Sequence, residues 1–168
     1  ANTPVANAMA GVAQLKNLWD LSDDSTLELN LFGTTGKNRL DRTSHVLGSD
    51  LTLKWRPSSG GKYHALAWTT EYLNGLTASN RLAGISSWIQ YQFAERWWVQ
   101  ARYDRLGLPA PTGVEPTDKQ SLLLGFFPSE FSGFRLQYHH LTQTGSPTDH
   151  AALLQWIISI GAHPAHAY

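Results

Sequence analysis

Histidine pairs are the residues of this chain whose type and spacing come closest to metal chemistry. The segment HPAH places His163 and His166 three positions apart, and zinc favours imidazole nitrogen as a ligand. No Cys, Asp or Glu lies beside them in the sequence to complete a tetrahedral set. His163 and His166 are therefore metal candidates, but we expect them to form no structural zinc site. The alternative is a terminal assembly signal that ends in the aromatic Tyr168.

Four further histidines sit beside another reactive residue. His139 and His140 are adjacent, so in a strand their rings point to opposite faces and cannot bind one ion together. The same alternation separates Ser44 from His45 and Asp149 from His150, so sequence proximity makes neither pair a catalytic dyad. We assign no catalytic residue and predict that the chain is not an enzyme. A loop-borne envelope hydrolase stays open as an alternative that would need a nucleophile in contact with a base.

Composition excludes several other classes of protein. The 168 residues fit one domain, and the absence of cysteine removes disulfide and thiolate chemistry. Thirteen basic residues balance thirteen acidic ones, so no excess of positive charge favours a nucleic acid partner. No glycine-rich phosphate loop is present, and no cofactor is expected.

An alternation of apolar and polar side chains runs through most of the chain. In 97–104, for example, Trp, Val, Ala and Tyr alternate with Trp, Gln, Arg and Asp. This period of two predicts strands with one apolar face. We expect an all-β fold with irregular residues at 1–10 and nine antiparallel strands near 11–21, 25–35, 45–57, 62–74, 81–94, 96–107, 119–128, 132–143 and 149–161.

Strands of this kind fit either a soluble sandwich or a transmembrane β-barrel. The barrel is favoured because the strands are long enough to cross a bilayer and because short turns alternate strictly with longer loops. It is also favoured by aromatic residues at the strand ends, where they would form an interfacial girdle. These residues are Trp55, Tyr63, Phe93, Trp97, Phe127 and Phe134.

The two faces then have opposite surroundings. We expect one set to point outward to lipid, namely Leu53, Trp68, Ile89, Val99, Leu136 and Trp156, and another to point inward, namely Thr52, Glu71, Gln90, Gln100, Gln137 and Gln155. Buried charges must be paired or hydrated, so lumen charges either form salt bridges that fill a narrow barrel or select permeating ions. The candidate lumen-lining residues are Asp50, Lys54, Arg56, Glu71, Gln90, Arg102, Asp104 and Arg135.

Several segments also resemble a known family. These are NLWDLSDDSTLELNL, SHVLGSDLTLKWRP, WTTEYL, YQFAERWWVQARYD, FFPSEFSGFRLQYHH and ISIGAHPAHAY. They are similar to the C-terminal barrel portion of Gram-negative outer-membrane proteins labelled zinc-regulated TonB-dependent receptors or metal-uptake outer-membrane proteins. The resemblance covers about Leu15 to Tyr168, and PSEF and HPAH are its more specific pieces. It implies uptake of a metal ion or a small metal complex. The sequence has no plug domain and no evident TonB box, unlike a complete receptor.

The odd strand count raises the question of closure, because bacterial single-chain barrels have an even number of strands. We expect the nine strands to form part of a larger barrel whose missing strands come from upstream sequence or another chain. The alternative is that 1–21 does not span and that the strands from 25–35 to 149–161 close an eight-stranded barrel. The chain is thus a single barrel domain over 1–168 or a C-terminal barrel segment.

These expectations combine into a functional hypothesis. The chain would lie in the outer membrane of a Gram-negative bacterium, in contact with lipid, and pass or take up a small solute such as a metal ion. The alternative is a structural or interaction barrel with a filled lumen, whose extracellular loops bind a partner.

Overall fold

Nine β-strands and no helix make up the described part of the chain. A computed structural model describes residues 9–37, 42–76, 81–107 and 115–160. His163, His166 and residues 1–8 lie outside them. The strands are β1 (Ala10–Ser22), β2 (Ser25–Lys37), β3 (Thr43–Trp55), β4 (Ala65–Leu76), β5 (Arg81–Ala94), β6 (Trp97–Leu106), β7 (Thr117–Ser129), β8 (Ser132–Gln143) and β9 (Asp149–Ile158).

All nine strands form one antiparallel sheet in chain order, from β1 to β9. Each strand pairs with its sequence neighbours only, and within the described ranges no contact joins β1 to β9. β2 lies between β1 and β3 and does not pair with β9. The eight-stranded alternative required β2 to pair with β9, and this pairing is not observed.

The predicted strand positions agree closely with the observed ones, with one difference that affects the connections. β4 begins at Ala65 and not near 62, because residues 58–63 form a turn in which Gly60 adopts a φ of 95° and its carbonyl accepts from Tyr63 N at 2.8 Å. The connection 56–64 is consequently longer than 77–80. The expectation of strictly alternating short and long connections was wrong at this point.

We name the two ends of the sheet by their connections. The turn end carries 23–24, 56–64, 95–96 and 130–131, and the loop end carries 38–42, 77–80, 107–116 and 144–148.

The two faces of the sheet differ in polarity as the sequence pattern predicted. Directly paired residues share a face, so the register places Thr52, Thr69, Trp88 and Arg102 on one side. Leu53, Trp68, Ile89 and Ala101 lie on the other. We call these the polar face and the apolar face. The outward and inward sets of the prediction fall on the apolar and polar faces respectively.

Large apolar side chains on the apolar face are widely exposed. Leu136 and Trp156 are 52% and 65% exposed, whereas Thr69 on the polar face is 9% exposed. Within the described ranges, Ala83 at 1% is the single fully buried apolar side chain. The apolar residues are thus not packed between two sheets.

Hydrogen bonds link successive turns at the turn end. Asp24 accepts from Ser58 N through Oδ1 at 2.7 Å and from Arg56 N through its carbonyl at 2.8 Å. Gln92, 5% exposed, donates through Nε2 to the carbonyls of Lys62 at 2.9 Å and Glu95 at 3.1 Å. These bonds hold neighbouring hairpins in register where no core packing is available.

None of the described residues form a helix long and apolar enough to cross a bilayer.

Candidate functional site on the polar face

Seven of the eight lumen-lining candidates lie within strands of the polar face. One row across the sheet contains Asp50, Glu71, Ser86 and Asp104, each paired directly with the next. The other candidates on this face are Lys54, Gln90, Arg102 and Arg135. Alternation along each strand therefore identified this surface correctly.

Arg56 is the candidate that the structure places elsewhere. It follows the last residue of β3, and its Nε donates to the carbonyl of Gly61 at 3.0 Å. This hydrogen bond stabilises the 56–64 turn. Arg56 was expected to project from the same strand as Asp50 and Lys54, but β3 ends at Trp55 and not at residue 57.

An ion pair occupies the centre of the polar face. Arg102 Nη2 lies 2.8 Å from Asp104 Oδ1, and Ser86 Oγ donates to the same oxygen at 2.6 Å. The Arg102 guanidinium also lies 5.1 Å from the ring centroid of Trp88. Cation–π contact and pairing together fix this arginine, so its charge is held in place and partly neutralised.

Acidic side chains are less well compensated on β3 and β4. Asp50 Oδ2 accepts from Asn30 Nδ2 at 2.7 Å, but Asp50 and Glu71 face each other directly across the strands. Directly opposed like charges destabilise a sheet. Near them, Lys16 pairs with Glu28 at 2.9 Å. The face therefore carries both signs of charge, some paired and some open to solvent.

Two adjoining hollows lie on the polar face between β5 and β8. One has a volume of about 360 Å³ and the other about 230 Å³. Gln100 and Leu123 line both. The larger hollow is also lined by Gln90, Trp98, Phe127 and Arg135, and the smaller by Arg102, Asp104, Lys119, Ser121 and Gln137. Amides, cations and one carboxylate thus converge on a space large enough for a small hydrated solute.

Phe127 lies on the polar face, contrary to the expectation that it joins the interfacial aromatics. Phe127 follows the alternation of Leu123 and Gly125, which the register places on the polar face, and its ring lies against Gly125 and Gly133. A Cβ atom at Gly133 would lie 2.5 Å from that ring, so only glycine leaves it room. Arg135 stands over the ring at 5.6 Å from its centroid. Phe127 therefore forms part of the wall of the larger hollow.

The other five predicted girdle residues are exposed, namely Trp55, Tyr63, Phe93, Trp97 and Phe134. Two aromatic residues that the prediction missed join them. The Phe126 ring centroid lies 4.6 Å from that of Trp97, and the Trp156 ring stacks on Phe134 at 6.0 Å. The alternation of β9 already placed Trp156 on this face, and the alternation of β7 places Phe126 there together with Leu122 and Leu124.

The histidines are distributed over both faces. Ser44 and His45 lie on opposite faces, as do Asp149 and His150, so neither pair forms a dyad. His139 lies on the polar face with a buried Nδ1 that has no hydrogen-bond partner in the described ranges. His140 and His150 face each other across β8 and β9. In the part of the chain that is described, no group of three or more His, Cys, Asp or Glu could hold a metal ion.

An ion pair at the turn end has shifted titration. Lys62 Nζ lies 2.6 Å from Glu95 Oε1. Hydrogen bonding to Lys62 lowers the pKa of Glu95 below its ordinary 4.5, and the same bond raises the pKa of Lys62 above its ordinary 10.5. Both side chains are exposed, so water screens the pair.

Comparison with known proteins yields no relative. No family model, no curated protein and no solved structure matches the chain.

Proposed function

We propose that the chain forms part of an outer-membrane β-barrel of a Gram-negative bacterium. The supporting observation is a single antiparallel sheet with an uncovered apolar face on one side and a polar face on the other. In water, exposed leucine and tryptophan over a whole sheet face would drive aggregation. A bilayer provides the apolar contact, and the polar side chains then line an aqueous interior.

Closure of this barrel requires further strands. Because consecutive strands are antiparallel, β1 and β9 run in the same direction. Joining β1 directly to β9 would create one parallel pair, whereas an odd number of added strands makes every pair antiparallel and the total even. We propose that such strands come from upstream sequence or from another chain.

Passage of a small solute is the activity that fits this surface best. The hollows between β5 and β8 present amides and charges of both signs to the interior, as expected of a lining that replaces hydration water. The resemblance to outer-membrane metal-uptake proteins favours a metal ion or a small metal complex as the solute.

A structural role is the second candidate, and it rests on a different observation. Arg102 is paired with Asp104 and stacked on Trp88, and the Phe127 ring projects into the larger hollow. Side chains that neutralise and fill the interior would close it to solutes. The loop end would then carry the function through a bound partner.

Insertion can be tested with single cysteines, since the chain has none of its own. Gln137→Cys and Leu136→Cys place a thiol on opposite faces at neighbouring positions. In liposomes a small water-soluble maleimide should modify the first and spare the second. Gln100→Cys and Ala101→Cys form a second matched pair on β6. Equal modification within both pairs would contradict membrane insertion.

Measuring solute flux across a liposome bilayer distinguishes a transporting barrel from one whose interior is filled. Protein purified from outer membranes and placed in liposomes should carry Zn²⁺ across the bilayer faster than protein-free vesicles do. If insertion is established but neither Zn²⁺ nor a small neutral solute crosses, the structural role replaces transport.

A further inference from the structure

His140 and His150 form a cross-strand pair that the sequence did not reveal. They are direct partners in the β8–β9 ladder and therefore project from the same face. Their ring centroids lie 4.7 Å apart, and the two Nδ1 atoms lie 3.4 Å apart. Adjacent residues such as His139 and His140 cannot achieve this because alternation separates them.

The spacing of the two nitrogens suits one metal ion. Ligand nitrogens at 2.0–2.1 Å from a tetrahedral ion lie roughly 3.3–3.4 Å apart, and at a right angle roughly 2.9 Å apart. The observed 3.4 Å between Nδ1 atoms needs little adjustment to meet the first value. Two imidazoles held by paired strands also lose little freedom on binding, since backbone hydrogen bonds already fix their separation.

A third donor lies beside the pair. Tyr138 belongs to the same face of β8, and its hydroxyl lies 2.7 Å from His150 Nδ1. The hydroxyl oxygen can therefore hydrogen-bond the imidazole in the metal-free protein. It also stands close enough to contact an ion bound there.

The pair is accessible at the loop end of the apolar face. His150 is exposed and His140 is half-buried. Both lie near the loop end, since β8 ends at Gln143 and β9 begins at Asp149. Water can thus complete the coordination of a bound ion.

We propose that His140 and His150 bind one divalent transition-metal ion through their Nδ1 atoms. Imidazole ligands suit Cu²⁺, Ni²⁺ and Zn²⁺, and the expected order of affinity places Cu²⁺ first. Mg²⁺ prefers oxygen ligands and should not bind. The pair faces away from the polar hollows, so this site binds metal whether or not the polar face conducts a solute.

The experiment first removes the two histidines near the end of the chain, His163 and His166, because they could also bind a metal ion. In a His163→Ala/His166→Ala background, detergent-solubilised protein is titrated with Cu²⁺ alone by calorimetry and by electron paramagnetic resonance. We expect one ion per chain with two nitrogen ligands. His140→Ala and His150→Ala, each in that background, should lose saturable one-to-one binding.

Two controls make the result decisive. His45→Ala removes another exposed histidine of the apolar face and should leave Cu²⁺ binding unchanged. Far-ultraviolet circular dichroism should show that every variant keeps its strands. The proposal is overturned if the background binds no Cu²⁺, or if either single variant binds as tightly as the background.

Discussion

At the residue scale, the polar side chains of the polar face divide into two groups. Some, such as Gln90 and Gln100, line a hollow, and the described chain offers them no side-chain hydrogen bond. Others are structural, and Gln92 is the clearest because one amide group satisfies two turn carbonyls. The sequence pattern treats all three glutamines alike, since each follows the same alternation.

Replacing Gln92 tests this division. Gln92→Leu leaves two carbonyls without their donor, and the loss should lower the free energy of unfolding by about 1–3 kcal/mol. Gln100→Leu is the matched control on the same face, and it should change stability by much less. Urea titration of both variants in one detergent measures the difference. Equal losses would show that Gln92 has no special structural role.

The Lys62–Glu95 pair predicts a pH dependence at the turn end. The lowered pKa of Glu95 stabilises the fold above the ordinary value of 4.5, and this contribution is lost as pH falls through the folded-state pKa. The raised pKa of Lys62 stabilises below 10.5 and is lost as pH rises through its folded-state pKa.

Glu95→Gln should therefore be less stable than the parent protein near neutral pH. The difference should shrink at strongly acidic pH, where the parent also loses its carboxylate. Chemical denaturation at several pH values, repeated in high salt to screen the pair, measures it. A difference that stays constant down to the most acidic pH would rule out the ion pair as the cause.

At the element scale, the nine strands are not equivalent. β2 to β8 each have two neighbours, whereas β1 and β9 have one. Long unpaired edges recruit further strands, and this is the physical reason for expecting more of the barrel.

Amide hydrogen exchange should detect those edges. In the chain studied by itself, every second amide of β1 and β9 should exchange quickly, while both alternating sets should be protected in β4 and β5. Nuclear magnetic resonance in detergent micelles resolves single amides. Uniform protection of β1 and β9 would mean that their outer edges are already paired, with each other or with a second copy.

At the scale of the whole molecule, one surface property dominates. Within the described ranges, the apolar residues form no enclosed core, and most of the large ones lie exposed on one face of a single sheet. The proposed bilayer would supply the burial that this face lacks. In a sandwich an apolar face of the same composition would be turned toward a second sheet, whereas here it is exposed.

A pair of arginine substitutions tests which face meets lipid. Leu136→Arg places a charge on the apolar face, and near a bilayer midplane this should cost about 2–4 kcal/mol. Gln137→Arg, the neighbouring control, places the same charge on the polar face and should cost far less. Folding into liposomes at several urea concentrations measures both. Equal tolerance of the two charges would contradict a lipid-facing surface.

The sequence by itself determined the strands and their faces. Period-two alternation is a local property, so it located nine strands and separated residues such as Leu136 from Gln137. The girdle assignment was wrong at Phe127 because it used position beside a turn, whereas alternation places Phe127 with Gly125 on the polar face. The position of Arg56 could not be read from one segment, because the end of a strand depends on the neighbouring strand.

Only the tertiary structure decided which distant residues meet. The register of β8 against β9 brings His140 to His150, and the register of β5 against β6 brings Ser86 to Asp104. A shift of one residue in either pairing would send these side chains to opposite faces. Register is fixed by turns and cross-strand contacts along whole hairpins, so the candidate sites emerge only when the strands are assembled.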